Sequence, residues 1–219
     1  MTMAKIVLFG ASGMIGSRAL AEALERGHEV TAVVRDPTRV TAAHPNLAVV
    51  AGDVTDPATV ARLAEGADVV VSAVSQRGPG VDQTAAYDAV ARGLVEGLRA
   101  LDGHTPRLIV VGGAGTLEVA PGQRLVDQPG FPDGYKPEAL AHGEVLAKLR
   151  GVTDVKWAYL SPAAEIAPGE RTGSFRVGGD ALMSDAEGKS FITAEDYAIA
   201  LIDEAESGKH VGERFSVAY

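Results

Sequence analysis

A doubly wound α/β fold, in which helices cover both faces of a parallel sheet, is what this sequence predicts, and three observations predict it. Ile6 to Phe9 is an uninterrupted apolar run, the pattern of a strand buried on both faces at the centre of a parallel sheet. Gly10, Gly13 and Gly16 follow at a G-x-x-G-x-x-G spacing and open a helical pattern with Ile15, Ala19, Leu20, Ala23 and Leu24 on one side, stopped by Gly27. That helix leads straight into a second strand. The chain as a whole, rich in alanine, valine and glycine and poor in aromatic residues, suits close helix-on-sheet packing.

The glycine turn sets the functional expectation. Glycine is needed at three points: for a tight turn, for approach of the backbone to a pyrophosphate, and for close packing of helix on strand. The helix start adds free N–H groups and the positive end of the helix dipole. Gly10, Ala11, Ser12, Gly13, Met14, Ile15 and Gly16 are therefore expected to hold a dinucleotide's diphosphate, with the Ser12 hydroxyl reaching a phosphate oxygen.

The second strand, Glu29 to Val34, ends at Arg35, 19 positions after Gly16. An acidic residue at that place holds the adenosine ribose hydroxyls, whereas an arginine accommodates a 2′-phosphate. Arg35 is expected to take the phosphate, with Arg39 as a second contact, which makes NADP the expected cofactor. If Arg35 is merely solvated and Asp36 is the ribose ligand instead of the cap of a short helical turn, the cofactor is NAD.

A third strand, Leu47 to Ala51, leads to Asp53 and Val54, expected to accept from the adenine amino group and to cover its ring. Asp56 before Pro57 reads as a helix cap, which accounts for Asp56 but not for Asp53. The fourth strand, Ala67 to Val74, has a small, polar end. Ala73, Val74 and Ser75 there either let ribose and phosphates lie against backbone or simply pack the sheet. Gln76 to Gly80 is a glycine-proline loop, expected to be mobile. A helix from Val81 to Leu101 buries Ala86, Val90, Leu94, Leu98 and Leu101.

The fifth strand, Arg107 to Val111, ends in a glycine cluster beginning at Gly112, where the nicotinamide end is expected. Residues 116–136 lack periodicity and are expected to form a substrate-side loop. A helix from Pro137 to Arg150 follows, its faces set by Leu140, Glu144, Val145 and Leu149. The sixth strand, Val155 to Leu160, ends in Ser161-Pro162-Ala163-Ala164, bringing the backbone of Pro162 and Ala163 near the carboxamide. Short extended pieces at Gly173 to Val177 and Lys189 to Ile192, a last helix capped by Thr193, and a strand from Phe215 to Ala218 complete one domain over residues 1–219. Residues 161–219 are expected to contribute a small substrate-side lobe.

Composition narrows the partners. A net charge of −9 disfavours nucleic acid and anionic membrane surfaces, which need a basic patch. With no cysteine there is no disulfide framework, thiolate nucleophile or cysteine metal site. The chain enters its first strand almost at once and has no apolar run long enough to cross a bilayer, so a cytoplasmic protein without a signal peptide is expected.

Gly10-Ala11-Ser12-Gly13-Met14-Ile15-Gly16, Val34-Arg35-Asp36-Pro37, Gly52-Asp53-Val54 and the segment from Leu160 to Gly173 together resemble the atypical short-chain dehydrogenase/reductase group, and within it the NmrA-like, NAD(P)H-flavin reductase branch. The likeness covers essentially the whole chain, and its specific part is the Ser161 to Gly173 segment with the Arg107 to Gly115 strand and loop. It implies a Rossmann-like fold binding NAD(P)H, with a small C-terminal lobe over the nicotinamide. Related sequences include both reductases and non-catalytic dinucleotide sensors.

One expected element is missing. Short-chain dehydrogenases that reduce carbonyls carry a Tyr-x-x-x-Lys pair at the start of the helix after the fifth strand, and the lysine lowers the tyrosine pKa. Here Tyr135 is followed four positions on by Ala139, and alignment through Glu144 puts Lys136 and Leu140 at the pair's positions. Carbonyl reduction needs a proton for the developing alkoxide. Hydride transfer to a stacked flavin or quinone does not, because the acceptor spreads charge over its own rings and water completes protonation. The expected activity is therefore an NAD(P)H-dependent reductase with a flavin or quinone acceptor, and the alternative is a redox sensor without turnover.

No catalytic residue is singled out. His142, two positions before Glu144, either faces the crevice or, as the favoured expectation, is a solvated helix histidine, and the other histidines are scattered away from metal-ligand spacing. Ser12 and Ser161 lack the Gly-x-Ser-x-Gly elbow of a hydrolase. Phe131 and Tyr135 suit either stacking on a flat acceptor or packing of their own loop.

Overall fold

A computed structural model describes residues 3–78 and 80–219. The chain runs β1 (Lys5–Phe9), α1 (Met14–Glu25), β2 (Glu29–Val34), β3 (Leu47–Ala51), α2 (Pro57–Ala64), β4 (Val69–Ser72), α3 (Gln83–Arg99) and β5 (Arg107–Val111). A hairpin of β6 (Glu118–Ala120) and β7 (Gln123–Arg124) then precedes α4 (Lys136–Arg150) and β8 (Trp157–Ser161). The last part comprises β9 (Glu165–Ala167), β10 (Arg176–Gly178), β11 (Phe191–Thr193), α5 (Ala194–Ser207) and β12 (Glu213–Ala218).

Eight strands form one sheet in the order β10-β12-β8-β5-β4-β1-β2-β3. All neighbours are parallel except β10, which runs antiparallel to β12 at one edge. This is the doubly wound, Rossmann-like sheet expected from the sequence. The order in which strands are added reverses between β1 and β4, the place where such sheets open a ligand crevice beyond the strands' carboxyl ends.

Unbroken apolar runs make this sheet because both faces are covered. Along β1, Ile6 and Leu8 enter the core under α1 and α5, while Val7 and Phe9 enter the core under α2, α3 and α4. The same division by alternate residues holds for Ile109 against Leu108 and Val110 on β5, and for Leu160 against Tyr159 on β8. Residues 161–219 supply β10, β12 and α5 to this body, and β9 with β11 form a separate parallel pair.

Several element ends follow from local chemistry. Asp56 caps α2 by accepting from the N–H groups of Ala58 and Thr59, with Pro57 at the first helical position. Thr193 caps α5 by accepting from the Asp196 N–H. Other expectations need revision. Leu140 does not set a buried face of α4 but lies exposed, whereas Ala141, Val145, Leu146 and Leu149 are buried. The non-periodic stretch 116–136 is not one open loop: it folds into the β6–β7 hairpin and two short 3-10 turns, anchored by buried Leu117 and Val126. The hairpin is tied to the C-terminal part by the bonds from Glu118 N–H to Asp180 O and from Leu182 N–H to Glu118 O. Pro79, within the expected Gln76 to Gly80 loop, lies outside the described residues.

Candidate functional site

Because the sheet is parallel from β3 through β8, the carboxyl ends of six strands meet at one edge, and every residue expected to touch a dinucleotide follows one of those ends. The glycine turn after β1 is stitched to its neighbours by backbone alone. The Gly10 N–H donates to Val33 O at 3.1 Å, the Ala73 N–H to Phe9 O at 2.9 Å, and the Gly13 N–H to Gly10 O at 3.0 Å.

Gly10 and Gly16 meet two of the three steric demands expected of the glycines. Gly10 turns the chain with φ +81°, and a Cβ there would stand 2.5 Å from Ala73 O. Gly16 is buried, and a Cβ there would collide with the carbonyl of Gly10, so it sets the close approach of α1 to β1. Gly13 is different: its Cβ would meet nothing nearer than Gly10 O at 3.4 Å. No protein atom requires glycine at this position, which leaves a bare backbone surface for a ligand to approach.

The mouth of α1 is also open electrically. Asp56, Asp82 and Thr193 cap α2, α3 and α5 with side-chain hydrogen bonds, but Gly13 caps α1 without one, and its first turn has no acidic residue. Its leading N–H groups and positive dipole end are thus available to an anion, as a diphosphate requires. Ser12 is partly buried beside it, and Met14 is exposed. The site fits the phosphates of NAD(P).

At the end of β2, Arg35 is exposed and Asp36 is engaged locally. The Asp36 carboxylate accepts from the Thr38 N–H at 3.1 Å and the Thr38 hydroxyl at 2.6 Å, and these bonds hold it below the usual carboxylate range. Asp53, expected to accept from the adenine amino group, also has a local partner: its Oδ1 accepts from the N–H and hydroxyl of Thr55 at 2.9 and 2.8 Å. Val54 beside it is buried. Ala73 and Val74 lie against the glycine turn, partly buried, and Ser75 is exposed just beyond them. Gly112 is buried because a Cβ would run into the Tyr159 ring. Pro162 and Ala163 are buried too, so any contact they offer is through backbone.

Around the turn after β5 the main surprise is His142. The structure overturns its expected solvation: it is 9% exposed, with its ring 4.4 Å from that of Tyr87 between centroids and against Gly113. Burial pulls the imidazole down to about 4, only partly opposed by the Glu138 charge, so it is neutral near pH 7. Its Nδ1 lies 3.3 Å from the Tyr159 hydroxyl, which donates to His142 O at 3.1 Å and accepts from the Gly113 N–H at 3.2 Å. Ser161 Oγ in turn donates to Gly113 O at 3.0 Å. These bonds fix the turn after β5.

Next to this cluster, Tyr87 on α3 donates to Glu138 Oε1 at 2.8 Å, and Arg77 Nε donates to Glu138 Oε2 at 2.7 Å. Burial, then the Glu138 charge, pushes the Tyr87 phenol well above its ordinary value, and burial does the same to Tyr159. Sequence reasoning missed Arg77, Tyr87, Glu138 and Tyr159. Tyr87 and Glu138 are 51 residues apart, beyond any local pattern. The four-residue spacing of Glu138 and His142 on one helix was the only signal available.

Among the described residues, no helix is long and apolar enough to cross a membrane. The model of a family described as NAD(P)H-binding matches residues 10–207. The uncharacterized protein YwnB of Bacillus subtilis is 41% identical over 216 residues, covering 97% of each chain. Two solved structures are similar throughout. One is a protein of Burkholderia pseudomallei provisionally named as exported, with 50% identity, TM-score 0.86 and coverage of 99% of this chain and 100% of that one. The other is a protein of Streptococcus pneumoniae provisionally named an NADH-flavin reductase, with 33% identity, TM-score 0.84 and coverage of 98% and 99%. The family match spans the glycine turn, the open helix mouth and most of the parallel sheet: this chain belongs to the NAD(P)H-binding family and has the Rossmann-like fold.

Proposed function

We propose that the protein is an NADPH-dependent oxidoreductase that passes hydride to a flat acceptor, a flavin or a quinone. NADPH when bound supplies the hydride. The observation that carries this reading is the contrast between the two halves of the crevice. The nucleotide half has its glycine turn and uncapped helix, while the inner side of α4 offers Glu138, Ala139 and His142 in place of a tyrosine-lysine pair. None of the buried groups there is a ready acid near neutral pH, since His142 is already neutral and both phenols are raised. An acceptor that carries its own negative charge until water protonates it suits such a wall. The name of the Streptococcus relative agrees with this acceptor class.

NADP is favoured over NAD by the state of the β2 end: Arg35 is exposed, and the carboxylate that would hold a ribose is engaged with Thr38. In this reading the backbone of Pro162 and Ala163 lies near the nicotinamide carboxamide, and residues 161–219 contribute to the substrate side. The test mixes purified protein with NADPH and, separately, FMN, riboflavin or a benzoquinone, and follows the nicotinamide absorbance. Oxidation above background supports the reductase. Tight NADPH binding with no oxidation by any acceptor supports a sensor instead.

A further inference from the structure

We propose that Arg77 is the group that meets the negative charge formed on the acceptor, and that Glu138 and Tyr87 are the positioning residues that hold it there. This rests on the reductase reading above.

Arg77 lies in the segment after β4, three residues beyond the backbone that packs against the glycine turn, so it stands on the rim of the crevice. Its guanidinium reaches across to the first turn of α4, where Nε donates to Glu138 Oε2 at 2.7 Å. Glu138 adjoins Ala139, and Ala139 is packed so closely on Gly115 that a Cβ on that glycine would stand 2.5 Å from the alanine methyl. The arginine is thereby tied, through Glu138, to the same first turn of α4 that packs on the Gly112 to Gly115 segment, where the nicotinamide end is expected.

Three features make Arg77 a held charge and not a wandering surface side chain. Glu138 is 9% exposed, and its other oxygen is occupied by the Tyr87 hydroxyl at 2.8 Å, so the carboxylate is fixed in place. The guanidinium carbon lies 5.6 Å from the centroid of the Tyr135 ring, a cation–π contact. Yet the Arg77 side chain is 62% exposed, and among the described residues only its Nε is engaged with a protein group. The terminal N–H groups are left for a ligand. Tyr135, itself 56% exposed, gives the same rim a flat apolar surface.

The chemistry calls for such a group. When hydride passes from the reduced nicotinamide to a flavin or quinone, the cofactor is left oxidised. The acceptor gains one hydrogen and two electrons, and the displaced electron pair collects on a ring carbonyl oxygen as a negative charge. Arg77 N–H groups stabilise that oxygen anion, and water then supplies the proton, which balances the step without a protein acid. The class of acceptor follows: a planar ring system with a conjugated carbonyl, whatever its side chain.

The test compares wild type with Arg77→Gln, Arg77→Lys and Glu138→Gln. Turnover at saturating acceptor should fall about 10- to 100-fold in Arg77→Gln, less than the 10²–10³ of a buried donor because the side chain is solvent-screened. The loss should be equal for FMN, riboflavin and a benzoquinone, and Arg77→Lys should recover part of it. Glu138→Gln should lower turnover less while leaving the acceptor KM little changed. A readout independent of turnover uses 4-nitrophenol as a flat phenolate probe with the NADP⁺-loaded protein. Wild type should raise the phenolate absorbance at a pH where the free phenol is partly ionised, and Arg77→Gln should not. A loss confined to FMN would mean that Arg77 reads the phosphate, and a weakened NADPH dissociation constant would mean that it holds the cofactor; either overturns the proposal. Wild-type turnover unchanged by Arg77→Gln overturns the proposal alone, whereas no wild-type turnover with any acceptor overturns the reductase reading and this proposal with it.

Discussion

Acidification should weaken this fold in part through one buried imidazole. His142 is buried in neutral form at about 4 against an ordinary value of 6.5. Between those two values the unfolded chain binds a proton that the folded chain refuses, so the associated stability is fully present above about pH 6.5 and is lost as the pH falls toward 4. Linkage over that interval amounts to about 2 kcal/mol on going from about pH 7.5 to about pH 5, approaching about 3 kcal/mol below pH 4. Urea unfolding of wild type and His142→Leu at the two pH values isolates the effect. The Tyr159 hydroxyl keeps its bonds to Gly113 N–H and to the main-chain carbonyl at position 142 in the variant. Carboxylates held low by their partners, such as Asp36, Asp127 and Asp154, are common to both proteins and cancel in the difference. His142→Leu should lose about 2 kcal/mol less than wild type on acidification. Equal losses in the two proteins would refute the idea that this imidazole is shielded from solvent.

Other substitutions probe other parts of the structure. Arg35→Ala should weaken NADPH binding at least about tenfold while leaving NADH binding nearly unchanged, measured by titration calorimetry, since a charged contact to phosphate contributes roughly 1.5–3 kcal/mol; equal losses for both would remove Arg35 from that role. Gly16→Ala drives a methyl into the Gly10 carbonyl and should abolish nucleotide binding and lower the thermal midpoint, whereas Gly13→Ala should leave the midpoint nearly unchanged and lose NADPH affinity. Tyr219→Phe removes one of the donors to the buried Asp196 carboxylate, at 2.7 Å, and should cost about 1.5–3 kcal/mol in urea unfolding. A midpoint equal to wild type would show that the Thr172 and Gly173 donors to Asp196 suffice.

The nucleotide half of the crevice was legible because its determinants are local. The strand, the three glycines and the helix stripe lie within the first 27 residues, and each glycine's requirement follows from backbone sterics that spacing alone reveals. Capping by Asp56 and Thr193 was legible for the same reason. The opposite rim was not, since it is assembled from Arg77, Tyr87, Glu138, His142 and Tyr159 on four different elements. Nothing in the helical pattern of α4 distinguished a histidine facing Gly113 from one facing water, because Ala139 and Gly143 make that face too small and weakly apolar to register as a stripe. Asp53 adds a feature that the strand pattern did not show: a short-range turn in which its Oδ1 accepts from Thr55.

The nucleotide cradle is knit almost entirely from main-chain atoms of the glycine turn, β2 and the residues after β4, whereas the opposing rim is made of long side chains from α3, α4 and one loop. On the proposed reading, recognition and reactivity would thus be carried by different kinds of atoms. Exchanges at Arg77, Tyr135 or Glu138 would then leave the dinucleotide's seat intact, so that such a scaffold could trade one electron acceptor for another during divergence, and a designer could retune the rim by the same route without rebuilding the seat.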